Sequence, residues 1–128
     1  MINIEDIRKT GEIQLDSGNY SGAKKTFLLG LQHSDKYSYQ YTIFHTLIGE
    51  TEIKQNNFEQ ALKNLQEASK TEWGETNPYI LFLLGKTFYE LKRTEEARRC
   101  FFAVFHLSNK EFFTEENERY WILIEKDV

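Results

Sequence analysis

Apolar side chains recur along the chain at intervals of three and four residues, and no stretch shows the strict alternation of a strand. With a single proline, Pro78, to interrupt it, this pattern predicts helix after helix. Seven segments are expected, at about 3–17, 20–34, 37–54, 58–70, 78–91, 94–108 and 114–125. The breaks carry fitting chemistry. Asp16-Ser17-Gly18-Asn19 offers a glycine to end one helix and an asparagine to cap the next. Asn57, with Gln60 three residues on, is placed to cap the helix starting at Phe58, and Thr94 to cap the one that opens with two glutamates. Pro78 falls in a first helical turn, where a missing N–H costs little.

Within this pattern one spacing repeats. Gly11 and Ala23, Gly49 and Ala61, and Gly85 and Ala97 each stand 12 residues apart, and the pairs follow one another at 38 and then 36 residues. Four residues after each alanine comes a large apolar residue (Phe27, Leu65, Phe101), and seven after it a smaller one (Gly30, Ala68, Val104). A glycine inside a helix lowers its stability by about 1 kcal/mol relative to alanine. Three of them in one register imply that a second helix approaches the backbone closely at those points. The unit is a pair of helices used three times, with joints of varying length.

A helix with a central glycine, a short turn, then a second helix with an aromatic opening and an alanine three residues on: this resembles the tetratricopeptide repeat. GNYSGAKKTF, NNFEQALKNL and KRTEEARRCF are the three second helices. Tyr20 and Phe58 keep the aromatic opening and Thr94 replaces it, while Asp35, Trp73 and Asn109 stand where the repeat usually closes with proline. Ile48 and Leu84 keep the hydrophobic residue before the glycine, and Thr10 replaces it. The extra residues lengthen two connections beyond the usual period. The resemblance implies an all-α fold, a right-handed α-solenoid of three antiparallel helix pairs in a single domain over 1–128, with repeats at about 4–37, 42–75 and 78–111. The last segment, about 114–125, has no partner in that scheme. Phe113, Tyr120, Trp121 and Ile124 lie on one stripe of it, so it is expected to cap the open apolar end of the stack, with partner binding as the alternative.

Composition narrows the function. Sixteen Lys and Arg against twenty Asp and Glu give a net charge of −4, so no overall positive field draws the chain to nucleic acid or an anionic bilayer. Aromatics at 15% exclude disorder for most of the chain. Cys100, the single cysteine, sits in the apolar run CFFAVF and is expected in the core, a usage that suits a reducing cytosol. MINIEDIRKT lacks the apolar stretch of a secretion signal, and the longest apolar run, Tyr79 to Leu84, is far too short to span a membrane. A cytoplasmic location is therefore expected.

Catalytic chemistry finds few residues to use. His33, His45 and His106 lack metal-ligand spacing, His45 being expected as a hydrogen-bonded core residue, and no metal or cofactor is expected. GxSxG, GxxxxGK[ST] and GxGxxG are all missing, so the chain is expected not to be an enzyme. The basic run KRTEEARR is broken by two glutamates and reads as a solvent face laced with ion pairs.

The resemblance also implies where a partner binds: the first helices line a concave groove. Its groove-facing positions fall on Glu5, Arg8, Glu12 and Asp16, then Ile43, Thr46, Glu50 and Lys54, then Tyr79, Phe82, Lys86 and Glu90. The acidic N-terminal side and aromatic C-terminal side favour a protein or peptide segment with apolar anchors and basic flanks. Phe82 has a competing assignment, packing between adjacent repeats. The family's co-chaperones that grip a terminal carboxylate use five polar or cationic residues, and Arg8, Glu12, Leu47, Tyr79 and Leu83 stand at those places here. Only the first is a cation, so such a clamp is not expected. The functional expectation is a non-catalytic intracellular interaction module of adaptor or chaperone type. The alternatives are an immunity protein that covers a basic toxin surface, and a sensor of a peptide or small ligand. The oligomeric state is left open.

Overall fold

In the computed structural model, which describes residues 2–128, six long helices follow one another: α1 (Ile4–Asp16), α2 (Tyr20–Gln32), α3 (Tyr39–Lys54), α4 (Phe58–Ser69), α5 (Pro78–Glu90) and α6 (Thr94–Ser108). Each packs on its neighbours in sequence, most closely within the pairs α1/α2, α3/α4 and α5/α6, while α1 also touches α3 and α3 touches α5. These next-but-one contacts set the first helices of the three pairs side by side along one face of an all-α solenoid.

The repeated glycine has a specific occupant in each pair. A Cβ on Gly49 would lie 2.7 Å from Cγ of Leu65, and one on Gly85 would lie 2.5 Å from Cε1 of Phe101. Gly11 meets the ring of Phe27 in the same way. The large residue four positions after each alanine therefore fills the notch that the glycine leaves, and Ala23, Ala61 and Ala97 are fully buried beside it. At the joint between the first two pairs, Gly30 gives the same room to the ring of Phe44.

Gly18 takes a φ of +82°, a backbone conformation glycine adopts freely, and Asn19 then caps α2 by accepting the Gly22 N–H at 3.0 Å. Asn3, Ser38 and Asn77 cap α1, α3 and α5 with their side chains, with Pro78 in the first turn of α5. Two expected caps are corrected. Asn57 precedes α4 without a side-chain cap bond, and Thr94 already lies inside α6, whose N-cap is Arg93. Backbone bonds close both joints instead, from Asn57 N–H to the Glu52 carbonyl and from Arg93 N–H to that of Phe88.

The expected helix over 114–125 is interrupted. A 3-10 turn (Glu115–Asn117) leads into a single helical turn, α7 (Glu118–Trp121), and a second 3-10 turn (Glu125–Asp127) follows. Side chains tie the segment down at both ends: Asn117 donates to the Phe112 carbonyl and Arg98 to the Leu123 carbonyl, both at 3.0 Å. The segment still covers the end of the stack, with Phe113, Tyr120 and Ile124 buried in the same cluster as Phe101 and Val104.

Surface and core residues sort largely as their types dictate. In KRTEEARR, Arg93 pairs with Glu96 and Arg98 with Glu95. Cys100 is half-buried, and burial pushes its thiol up to about 11, away from thiolate reactivity. His45 Nδ1 lies 2.9 Å from Asn64 Oδ1. Among the described residues no helix is long and apolar enough to cross a membrane.

Candidate functional site

A cavity of about 410 Å³ opens on the face where α1, α3 and α5 lie side by side. Ile43, Leu47 and Ile80 give it an apolar lining, and Thr42 and Thr46 belong to the same wall. Both threonine hydroxyls are engaged within the fold, Thr46 with the Thr42 carbonyl at 2.7 Å and Thr42 with the Thr71 hydroxyl at 2.6 Å. Neither hydroxyl of this wall is therefore left unsatisfied. Three exposed aromatics stand round the opening: Tyr39, Trp73 and Tyr79, with the Tyr39 and Trp73 rings packed edge to face at 5.9 Å.

One of these aromatics lies in a lengthened connection and another directly follows one. The α4–α5 connection (70–77) is built on Thr71, 2% exposed, whose hydroxyl donates to the Ala68 carbonyl at 3.0 Å and accepts the Gly74 N–H at 3.1 Å. That knot fixes the turn carrying Trp73. The α2–α3 connection (33–38) ends at the Ser38 cap, so Tyr39 opens α3 directly beneath it.

Of the twelve groove positions expected from the sequence, the cavity brings together Glu5, Arg8, Glu12, Ile43, Thr46 and Tyr79. Asp16 and Lys54, at the ends of α1 and α3, are exposed and lie away from its lining. Lys86 and Glu90 line a separate depression of about 190 Å³ further along the face. Glu50 lies between the two. Phe82 is the clear correction: it is 5% exposed, with Phe112, Phe113 and Tyr120 of the C-terminal segment and Phe101 of α6 all packed on its ring at centroid distances of 5.4–5.8 Å. The terminal segment covers it.

Tyr39, Thr42, Leu47, Trp73, Asn77 and Ile80 complete the cavity and were not among those expected positions. The signal for Trp73 was a large aromatic in a polar connection, at the place where proline usually closes the repeat. Leu47 and Ile80 carry no such signal, because core and groove leucines read alike.

The charges of the face are partly neutralised. Arg8 donates to Glu12 at 2.6 Å and bonds Glu5 on its other side, so the acidic N-terminal wall holds its own cation. Of the places a carboxylate clamp would use, Arg8 is thereby paired with acids and Leu83 is buried in the core. Glu50 is held above the ordinary carboxylate range, first by burial and then by the nearby Glu12, although the Tyr79 hydroxyl, Lys54 and Lys86 support its charge. Tyr79 is raised in turn by burial and by the Glu50 carboxylate.

No family model matches the chain, and no curated protein matches it in sequence. Solved structures match it in shape. The type III secretion chaperone SycD of Yersinia enterocolitica, in complex with a peptide of the translocator YopD, superposes with a TM-score of 0.78 at 20% identity over 95% of this chain and 89% of that one. PcrH from Pseudomonas aeruginosa gives 0.74 at 18% identity over 96% and 89%. The first tetratricopeptide-repeat domain of Spaghetti (RPAP3), bound to the HSP90 peptide SRMEEVD, gives 0.80 at 17% identity over 95% and 93%. The chain has the tetratricopeptide-repeat fold, as the spacing of its glycines and alanines implied.

Proposed function

We propose that this protein is a non-catalytic binding module that holds a segment of a partner protein in the α1/α3/α5 cavity, in the manner of a chaperone or adaptor. The observation that carries this reading is the cavity itself: an apolar lining at Ile43, Leu47 and Ile80, framed by three exposed aromatics that a bound segment would remove from water. Two solved structures of the same fold support it, SycD in complex with a translocator peptide and the Spaghetti domain bound to an HSP90 peptide. The preferred occupant is an extended or helical stretch with one or more aliphatic anchors. Basic flanks receive less support than the sequence suggested, because Arg8 already answers Glu5 and Glu12. An intracellular, cytoplasmic setting is part of the same proposal.

The test is affinity capture at native expression level with the wild-type chain, Trp73→Ala, Ile43→Glu and Arg99→Glu as baits, read by mass spectrometry. A single partner retained by the wild type and by Arg99→Glu on the exposed side of α6, but lost with both cavity variants, is the expected result. A partner captured equally by all four baits would overturn the groove assignment.

A further inference from the structure

Beyond the aromatic cavity, the same face carries three cations supplied by three different elements: Lys54 at the end of α3, Lys86 in α5 and Arg119 in α7. Among the described residues none of the three takes part in an ion pair, whereas Arg8, Arg93 and Arg98 are all paired. Lys86 and Arg119 line the 190 Å³ depression together with Thr87, Glu90 and Tyr120. Both are held by rings. The Lys86 ammonium stands 5.9 Å from the centroid of buried Phe82, and the Arg119 guanidinium 5.0 Å from that of buried Tyr120. The carboxylates facing Lys86 are Glu50 and Glu90, so three cations meet two acids and one positive charge is left over. Burial first, then Lys54 and Arg119, hold the Lys86 ammonium below the ordinary lysine range against the pull of Glu50 and Glu90.

We propose that Lys86 and Arg119 bind the carboxylate of an aspartate or glutamate in the segment that occupies the cavity, fixing its direction and register. This rests on the groove reading above. One carboxylate restores neutrality, whereas a phosphate dianion would be set against Glu50 and Glu90. Because α7 supplies Arg119, the terminal segment adds a specificity element that no repeat carries, and it asks for an acid where the sequence suggested a basic flank. The residues are distinct from those of a carboxylate clamp, whose places here hold Arg8, Glu12, Leu47, Tyr79 and Leu83.

The experiment is a selection of random peptides displayed on phage against the full chain, keeping those whose binding is lost with Ile43→Glu. The expected peptides carry aliphatic anchors and an acidic residue at a fixed spacing, and synthetic copies bind K86E or R119E about tenfold more weakly or worse. Selection against the double variant K86E/R119E should replace the acid with Lys or Arg. Cavity-dependent peptides without an acidic preference would overturn this inference while leaving the groove reading intact. If no cavity-dependent peptide emerges, the groove reading falls, and the anion site is judged by itself with acetate, a single carboxylate, as probe. Acetate should raise the titration midpoint of Lys86, followed by NMR of its side-chain carbon, and raise it less in Arg119→Gln. A Lys86 midpoint unmoved by acetate overturns the site.

Discussion

The ring of Phe101 occupies the space that a side chain at residue 85 would fill, its Cε1 only 2.5 Å from the position of a Cβ on Gly85. Phe101 is fully buried between α5, Phe113 and Tyr120, so the ring has no room to withdraw. Gly85→Ala should therefore overpack the pair, at about 1–3 kcal/mol. This outweighs the gain of about 1 kcal/mol in helix propensity. Urea unfolding of the variant should show a lowered midpoint, and a raised midpoint would mean the two helices can separate freely.

Phe82 and Tyr79 lie one helical turn apart but should behave oppositely. Phe82→Ala removes a ring packed by four others and is expected to cost about 3–5 kcal/mol. Tyr79 is 41% exposed, so Tyr79→Ala should change stability by about 1 kcal/mol or less while weakening partner binding by about 2 kcal/mol. Paired melting curves and binding isotherms decide this. Equal stability losses in the two variants would place Tyr79 in the core.

How much of this was legible in the sequence differs by level. The six long helices and the filling of Gly11, Gly49 and Gly85 follow from local spacing, because a glycine and the residue that fills it are held at a constant offset by one helical hairpin. Half of the groove positions met in the cavity for the same reason. What could not be read depends on contacts remote in the chain. Phe82 is removed from the surface by Phe112, Phe113 and Tyr120, some thirty or more residues later, and Trp73 reaches Tyr39 only because Thr71 and Thr42 lock the intervening turn. Arg119 gains its meaning from Lys86, through an interrupted helix that periodicity alone presents as continuous.

Glu50 makes the site a load on the fold at neutral pH. Its folded pKa is raised by burial, so the folded chain holds that proton more tightly than the unfolded chain does. The resulting stabilisation is present below the ordinary carboxylate range and is lost as pH rises through the raised value. Glu50→Gln, which keeps an acceptor for the Tyr79 hydroxyl, should therefore be more stable than the wild type at pH 7. The advantage should close as the pH falls to about 4. Urea midpoints at the two pH values check this, and a variant destabilised at pH 7 would show that the Glu50 charge is compensated.

Lys24 and Glu52 join α2 to α3 through a buried carboxylate, 1% exposed, whose Oε1 lies 3.0 Å from the Lys24 ammonium. That oxygen has no well-aligned hydrogen bond, so the attraction of the lysine is its main compensation. Lys24→Met leaves a charge stranded inside and is expected to destabilise by about 1–3 kcal/mol, below the figure for a fully buried pair because Lys24 is 40% exposed. Adding Glu52→Gln to it should recover much of the loss, since the neutral amide has less hydration to surrender. Denaturant titration of the two single variants and the double variant measures the coupling, and a double variant weaker than Lys24→Met would mean that the carboxylate is held by something other than the lysine.

Deleting 112–128 tests the terminal segment as a cap. It removes Phe113, Tyr120 and Ile124, each at most 6% exposed, and so bares Phe82, Phe101 and Val104 at one end of the stack. A continuous apolar surface of that kind drives association, so the truncated chain should self-associate on size-exclusion chromatography. Deleting only 125–128 removes a 3-10 turn and the 2.8 Å pair between Arg98 and Asp127. That pair is largely exposed and should be worth no more than about 1 kcal/mol. The short deletion should therefore stay in the oligomeric state of the full chain with nearly its stability. If the long deletion did the same, the aromatic cluster around Phe82 would be able to close without Phe113 and Tyr120, and the segment would be free to leave the stack.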